Sequence, residues 1–174
     1  DAYQDFKSEE QYLLECAKLM KLQSWQGFRE KLIALQEENA QLRKENDAHK
    51  QASLLSSADT AVQKAETING LSCVLLSLDG FDTNSLKVYA EYVRNKLVDG
   101  FVFVSNTTEG KVTFVCASSK AAIAKGKKAG DIVKAAAQLT GGNGGGRPDM
   151  AQAGGKDTSK VQEAHALVRQ ILAQ

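Results

Sequence analysis

The residues best equipped for chemistry lie near the C-terminal end, in the stretch Thr140-Gly-Gly-Asn-Gly-Gly-Gly-Arg-Pro-Asp-Met-Ala-Gln-Ala-Gly-Gly-Lys156. Seven of the 15 residues from Gly141 to Gly155 are glycine, half of the chain's 14, and the single proline, Pro148, is there too. Glycine serves where backbone must bend through positive φ or approach a ligand closely. Between two helices, such a stretch can present N–H groups that cradle an anion. Gly141, Gly142, Asn143, Gly144, Gly145 and Gly146 would supply that backbone, and Arg147 and Lys156 would complement a phosphate or carboxylate. A flexible linker has a similar composition. Arg147, Pro148, Asp149, Met150 and Gln152 nevertheless interrupt the glycines with residues a solvated tether does not need. The stretch is therefore expected to form an ordered, functional loop. Lys125, Lys127, Lys128 and Lys134 precede it and Lys160 follows it. If the loop draws these together they form a phosphate-tracking patch rather than an ordinary charged surface.

Other chemistries fail on inspection. Asp157 stands where a P-loop needs Ser or Thr after its lysine, and no predicted strand precedes the glycines as a dinucleotide fingerprint requires. The three cysteines (Cys16, Cys73, Cys116) and two histidines (His49, His165) are too scattered for a metal-ligand pair of the usual spacing. Cys73 and Cys116 fall in apolar runs, where a reduced, buried thiol is expected. His49 lies on a helical seam and His165 on an apolar helix face, so both read as structural. Pairs such as Glu9-Glu10 and Glu37-Glu38 read as solvated helix faces. Nothing resembles an active site.

The elements that must position the glycine stretch fall into two parts. Residues 1–69 read almost wholly as helix, with a break at Ser24-Trp25-Gln26-Gly27. Phe28, Leu32, Leu35, Asn39, Leu42, Asn46 and His49 then recur at alternating spacings of four and three, a coiled-coil seam. Its two asparagines weaken the seam but penalise wrong registers and strand numbers. The seam either folds back on the first helix as an antiparallel hairpin or pairs with another chain, where Glu38 and Arg43 could face each other between parallel strands.

Gly70 opens residues 70–174. Leu71–Leu78 reads as a buried strand, Asp79–Thr83 as a turn and cap, and Leu86, Ala90, Val93 and Leu97 as the stripe of a helix closed by Asp99-Gly100. Phe101–Val104 and Val112–Ala117 read as strands joined at Asn106–Gly110, so the Asn106-Thr107-Thr108 sequon is expected to be a turn. A helix at Asp131–Leu139 and another from Thr158 to Leu172 follow. The expected fold is mixed α/β: a helical hairpin or coiled coil, then a small globular domain in the order β-α-β-β-α-α with a glycine-rich loop.

Composition narrows the function. The net charge of +1 excludes a uniformly basic nucleic-acid binder. Yet residues 1–69 hold nine basic and twelve acidic residues, and residues 70–174 hold thirteen and nine. Such asymmetry suggests that the second part handles a polyanion. Aromatic residues are only 6%, which disfavours base stacking and favours recognition by backbone and shape. No apolar run reaches the roughly 18 residues a membrane span needs. The odd cysteine count and lack of a leader point to a reducing, cytoplasmic setting. A first residue of Asp1 rather than Met suggests a piece of a longer protein.

The run Gly141–Gly155, after Ala129-Gly130-Asp131-Ile132-Val133-Lys134 and Ala135–Leu139, resembles the glycine-rich signature near the end of alanyl-tRNA synthetases. The globular part is similar to the DHH-associated domain of a phosphoesterase superfamily. The resemblance implies a non-catalytic module that engages the outer corner, or elbow, of an alanine-specific tRNA. Such a module helps one tRNA serve aminoacylation and editing sites elsewhere in a parent alanine–tRNA ligase. ATP, magnesium and zinc would belong to that parent, and no cofactor is expected here. The phosphoesterases' Asp-His-His motif is missing. The resemblance also allows a homodimer, or a surface adapted to DNA. The rival readings are a dimerisation scaffold with residues 28–53 as its working surface, and a nucleotide-binding accessory domain of a phosphoesterase.

Overall fold

The structure is a computed structural model and describes residues 2–23 and 27–174. It contains two compact units, Asp1–His49 and Lys50–Gln174. In the first unit α1 spans Ala2–Leu19, and α2 begins at Phe28. Of the expected break, Ser24, Trp25 and Gln26 lie outside the described residues, while Gly27 has φ +81°. Helix α2 continues to Gln63, so its last turns belong to the second unit. There Leu54, Ala58 and Ala61 are buried. The compact unit thus starts at Lys50, well before Gly70.

The second unit is a six-stranded mixed sheet with helices on both faces. Its strands are β1 (Glu66–Ile68), β2 (Leu71–Asp79), β3 (Gly100–Thr108), β4 (Lys111–Ser118), β5 (Asn143–Gly146) and β6 (Met150–Gly155), in spatial order β1-β2-β3-β4-β6-β5. Only β2 and β3 are parallel. Their connection contains α3 (Thr83–Lys96), the crossover that a parallel pair requires. Asp82 caps α3 by accepting from the Asn84 and Ser85 amides. Asp99, at φ +51°, redirects the chain into β3.

Strand alternation sorts the core into two layers. Leu71, Cys73, Phe101, Phe103, Val112, Phe114 and Cys116 face α5 (Ala129–Leu139) and α6 (Val161–Ala173). Val74, Val102, Val104, Val115 and Ala117 pack with α3 and the end of α2. Period-two patterning with both faces covered gives the near-continuous apolar runs seen in the sequence. Phe103 and Phe114 stack at 5.5 Å between centroids.

The expected order β-α-β-β-α-α needs correction at four places. A short β1 precedes β2, antiparallel to it. Strands β3 and β4 run further than their apolar runs and meet in a two-residue turn at Glu109 and Gly110, φ +50° and +74°. Asn106 is therefore a buried strand residue, not a turn; its side chain bonds the Phe81 backbone and the Thr108 hydroxyl. Third, the glycine stretch is not a loop. It forms the hairpin β5–β6, with β6 paired to β4. A short helix α4 (Lys120–Ala124), capped by Ser119, precedes α5.

Candidate nucleic-acid interface

The hairpin's geometry follows from its glycines. Helix α5 ends on Gly141 at φ +68°, where the Gly142 amide donates to Ala137 O at 2.8 Å and the Gly141 amide to Gln138 O at 3.2 Å. This paired closure is the Schellman motif, which favours glycine in the left-handed position. The buried Thr140 carbonyl then accepts from the Lys156 and Asp157 amides at 2.9 and 3.0 Å, tying the two ends of the hairpin together. In β5, a Cβ on Gly144 would come within 2.3 Å of Ala153 Cα. On α5, one on Gly130 would meet Gly146 O at 2.7 Å. Gly130, which weakens helix propensity in the sequence, is thus what lets α5 lie against the hairpin.

Gly145 is different. A Cβ there would meet nothing within 4 Å, and no positive φ demands glycine. It stands opposite Gln152, as Asn143 stands opposite Gly154. Directly opposed residues of an antiparallel pair share a face. Ala151 and Ala153 point into the core layer beneath α5, so Gln152 and Gly154 occupy the outer side, where both are exposed. The sheet therefore ends in a flat patch built from Asn143, Gly145, Gln152 and Gly154, with backbone and two carboxamides but no bulky side chain. Arg147 stands at its tip, 77% exposed and 3.1 Å from the Asp149 carboxylate. Lys156 stands exposed at its base.

The lysines expected around the glycines are not all available. Lys127 is buried, and its ammonium donates to Ile171 O at 2.6 Å, satisfying a carbonyl in the last turn of α6. Lys125 donates to Asn69 O at 2.5 Å in the β1–β2 turn. Lys128, just before α5, and Lys134, on it, are exposed; α5 covers the opposite side of the hairpin, and Lys160 is half-buried in the short 3-10 turn before α6. The structure thus brings together the glycine backbone, Arg147 and Lys156. It does not gather the seven cations into one patch. Gln152 and Gly154 were not among the contact residues expected from the sequence; the signal that places them there is register, which appears only once the hairpin is recognised.

The histidines and thiols sit as the sequence suggested or in plain solvent. His165 stacks edge-on against Phe103 at 5.1 Å and shares a 2.7 Å hydrogen bond with the Ser105 hydroxyl. Burial, reinforced by Arg169, holds its pKa below the ordinary histidine value. Burial pushes the Cys73 thiol up to about 11 and raises Cys116 as well, so both remain protonated. His49 is exposed. No cluster of three metal-ligating side chains forms among the described residues, and no helix among them is long and apolar enough to cross a membrane.

On α2, every residue from Arg29 to Ser53 is exposed. The seam residues Leu32, Leu35 and Leu42 are 40%, 38% and 57% accessible, and only Phe28 is half-buried. Of the two readings of the seam, the intramolecular hairpin is not seen: among the described residues nothing covers it.

The second unit is a small α/β domain whose sheet ends in a glycine-built hairpin. The chain belongs to the DHHA1 domain family, which matches residues 70–174. It is 39% identical over 163 residues to an alanine–tRNA ligase of Acetivibrio thermocellus, covering 94% of this chain and 18% of that protein. It is 34% identical over 174 residues to that of Alkaliphilus oremlandii, covering 99% and 19%. The chain therefore spans about a fifth of the length of these curated relatives. Among solved structures, the C-Ala domain of Aquifex aeolicus alanyl-tRNA synthetase superposes with a TM-score of 0.60 at 27% identity, over 63% of this chain and 98% of that one.

Proposed function

We propose that this chain is the non-catalytic, tRNA-binding C-terminal module of a cytoplasmic alanine–tRNA ligase. The observation that carries the reading is the outer face of the hairpin, where Gly145 and Gly154 leave a flat surface that the fold itself does not require. A ligand whose backbone must lie close explains that absence of side chains. The similarity to alanine–tRNA ligases and to a C-Ala domain supports tRNA as that ligand. Arg147 and Lys156 contact phosphates at the two ends of the patch, with Lys128, Lys134 and Lys160 available to neighbouring phosphates. The elbow of the tRNA suits a surface that reads shape without aromatic stacking. Holding that corner lets one tRNA reach aminoacylation and editing sites elsewhere in the parent, which supplies ATP, magnesium and zinc chemistry of its own.

Titrating an alanine-specific tRNA transcript at several salt concentrations tests this. A micromolar or weaker dissociation constant is expected, with a log–log slope corresponding to a few phosphates. Doubling Arg147→Ala with Lys156→Ala should weaken binding and flatten the slope. An unchanged slope in the double variant removes the proposal. Duplex DNA run beside it decides whether the surface prefers RNA.

The exposed seam on α2 supports a second role, pairing with another copy of the chain. Glu38 precedes Asn39 and Arg43 follows Leu42, the placement that opposes these charges between parallel strands. The seam and the hairpin lie on different elements, so the two roles are compatible.

A further inference from the structure

The two edges of the sheet are unlike. Strand β5 is short and nearly bare of side chains, whereas β2 is an edge strand for most of its length. Strand β1 pairs only with Leu71, Ser72 and Cys73. From Val74 to Asp79, β2 has β3 on one side and no strand on the other. Natural sheets protect such an edge with proline, lysine, a bulge or a covering element, because its unpaired N–H and C=O groups template another strand. Here the edge sequence is Val-Leu-Leu-Ser-Leu-Asp, with no proline or lysine.

Beside this edge runs the last part of α2. Lys50 donates to Gly80 O at 3.1 Å, while Lys64 lies two residues before Glu66, the partner of Cys73. Helix and strand are therefore antiparallel, with a groove between them. Its cavity of about 330 Å³ is lined by Thr60, Ala61, Lys64, Val74, Leu76 and Tyr89, among others. Tyr89 is 1% exposed, and its hydroxyl makes no close hydrogen bond. Its one polar side-chain partner is Ser57, which donates its own proton to Leu54 O at 2.6 Å and offers Tyr89 only a weak acceptor. A buried hydroxyl so weakly paired gains from a better acceptor. The groove's charges are unbalanced too: Glu66 is paired with Arg169, while Lys64 forms no ion pair among the described residues.

We propose that this groove receives an extended peptide strand from another polypeptide, added antiparallel to β2 as a seventh strand. Its main chain completes the ladder of Val74–Asp79, and alternate apolar side chains enter the cavity. One hydrogen-bond acceptor reaches Tyr89 Oη. The antiparallel direction, already used by β1 on the same edge, brings the strand's C-terminal end to Lys64, which selects a carboxylate there. This is recognition by strand addition, with affinity from the main chain and selectivity from the pocket.

The test uses the 174-residue chain and an octapeptide of alternating valine and threonine with a free C-terminal carboxylate, followed by backbone amide NMR. Saturable shifts confined to Val74–Asp79, Tyr89 and residues 57–64 are expected. Amidating the peptide's C-terminus, or Lys64→Glu, should weaken binding about threefold, the scale of one exposed ion pair. N-methylation of alternate peptide nitrogens should abolish it. Thr60→Trp, which fills the groove from an exposed helix position, should abolish it while leaving the remaining amide spectrum unchanged. Equal binding of the N-methylated peptide, shifts elsewhere, or no shifts at millimolar peptide would overturn the proposal. So would protection of the β2 amides that rises with protein concentration and is lost in Thr60→Trp, because the occupant would then be a second copy of this chain.

Discussion

At the scale of single residues, the glycines divide by what they are for. Gly144 is needed by the fold, since any Cβ would be driven into the Ala153 backbone. Gly144→Ala should cost about 1–3 kcal/mol, the range of overpacking with backbone displacement, seen as a lower urea midpoint. Gly145 has open space around it. Gly145→Val should leave the urea midpoint nearly unchanged yet weaken tRNA binding several-fold. Equal loss of stability in both variants would mean that the patch has no ligand behind it. His165 makes a second residue-scale prediction. Its folded pKa is depressed by burial, so the unfolded chain takes up the proton first. Stability is fully present above the unfolded value of about 6.5 and declines as pH falls from there toward the folded pKa. Urea midpoints at pH 7.5, 6.5 and 5.5 should fall in the native chain and fall less in His165→Gln.

At the scale of elements, α6 depends on a side chain from elsewhere. The last carbonyls of a helix have no partner within it, and Lys127 supplies one to Ile171 from the segment between α4 and α5. Lys127→Met keeps the apolar stem and removes the charge and hydrogen bond. It should cost about 1–2 kcal/mol, measurable as a drop in Tm of several degrees. Affinity for tRNA, extrapolated to the fully folded chain, should not change, because this lysine does not face solvent. That outcome separates Lys127 from Arg147 and Lys156, with which its charge alone would group it. The hairpin β5–β6 is the other decisive element. It gives the glycine stretch a rigid register without an apolar side chain in β5, held by α5 on one side and β4 along β6.

At the scale of the whole chain, the working surfaces lie on distinct parts. The α2 seam predicts association, which sedimentation velocity at two concentrations can read. A concentration-dependent dimer that Leu35→Asp disperses is expected if the seam pairs, and a monomer throughout removes that role. The same Leu35→Asp variant should bind tRNA as the native chain does, since the hairpin is untouched. The near-zero net charge conceals this division: acidic residues dominate before Gly70 and basic ones after it, and only some of the basic ones reach solvent near the hairpin.

Much of the frame was legible because burial imposes periodicity. Leu71–Leu78, the stripe Leu86–Leu97, the runs ending at Val104 and Ala117, and the helix through Val161 and Leu172 all announce themselves by spacing. The composition of 141–155, with the order of residues around it, also marked the stretch to which the proposed function assigns tRNA contact. What the sequence could not show is anything that depends on a distant partner. Gly-Gly-Gly has no strand propensity, so β5 exists only because β6, already paired with β4, offers it a register. Whether a lysine faces solvent depends on which carbonyl lies within reach, and Ile171 is 44 residues from Lys127. Gln152 and Gly154 joined the surface through cross-strand pairing alone, and the open edge of β2 follows from β1 stopping at three residues. Local pattern determined the elements and the chemistry on offer; long-range pairing decided which of those groups meet, and which remain free to meet something else.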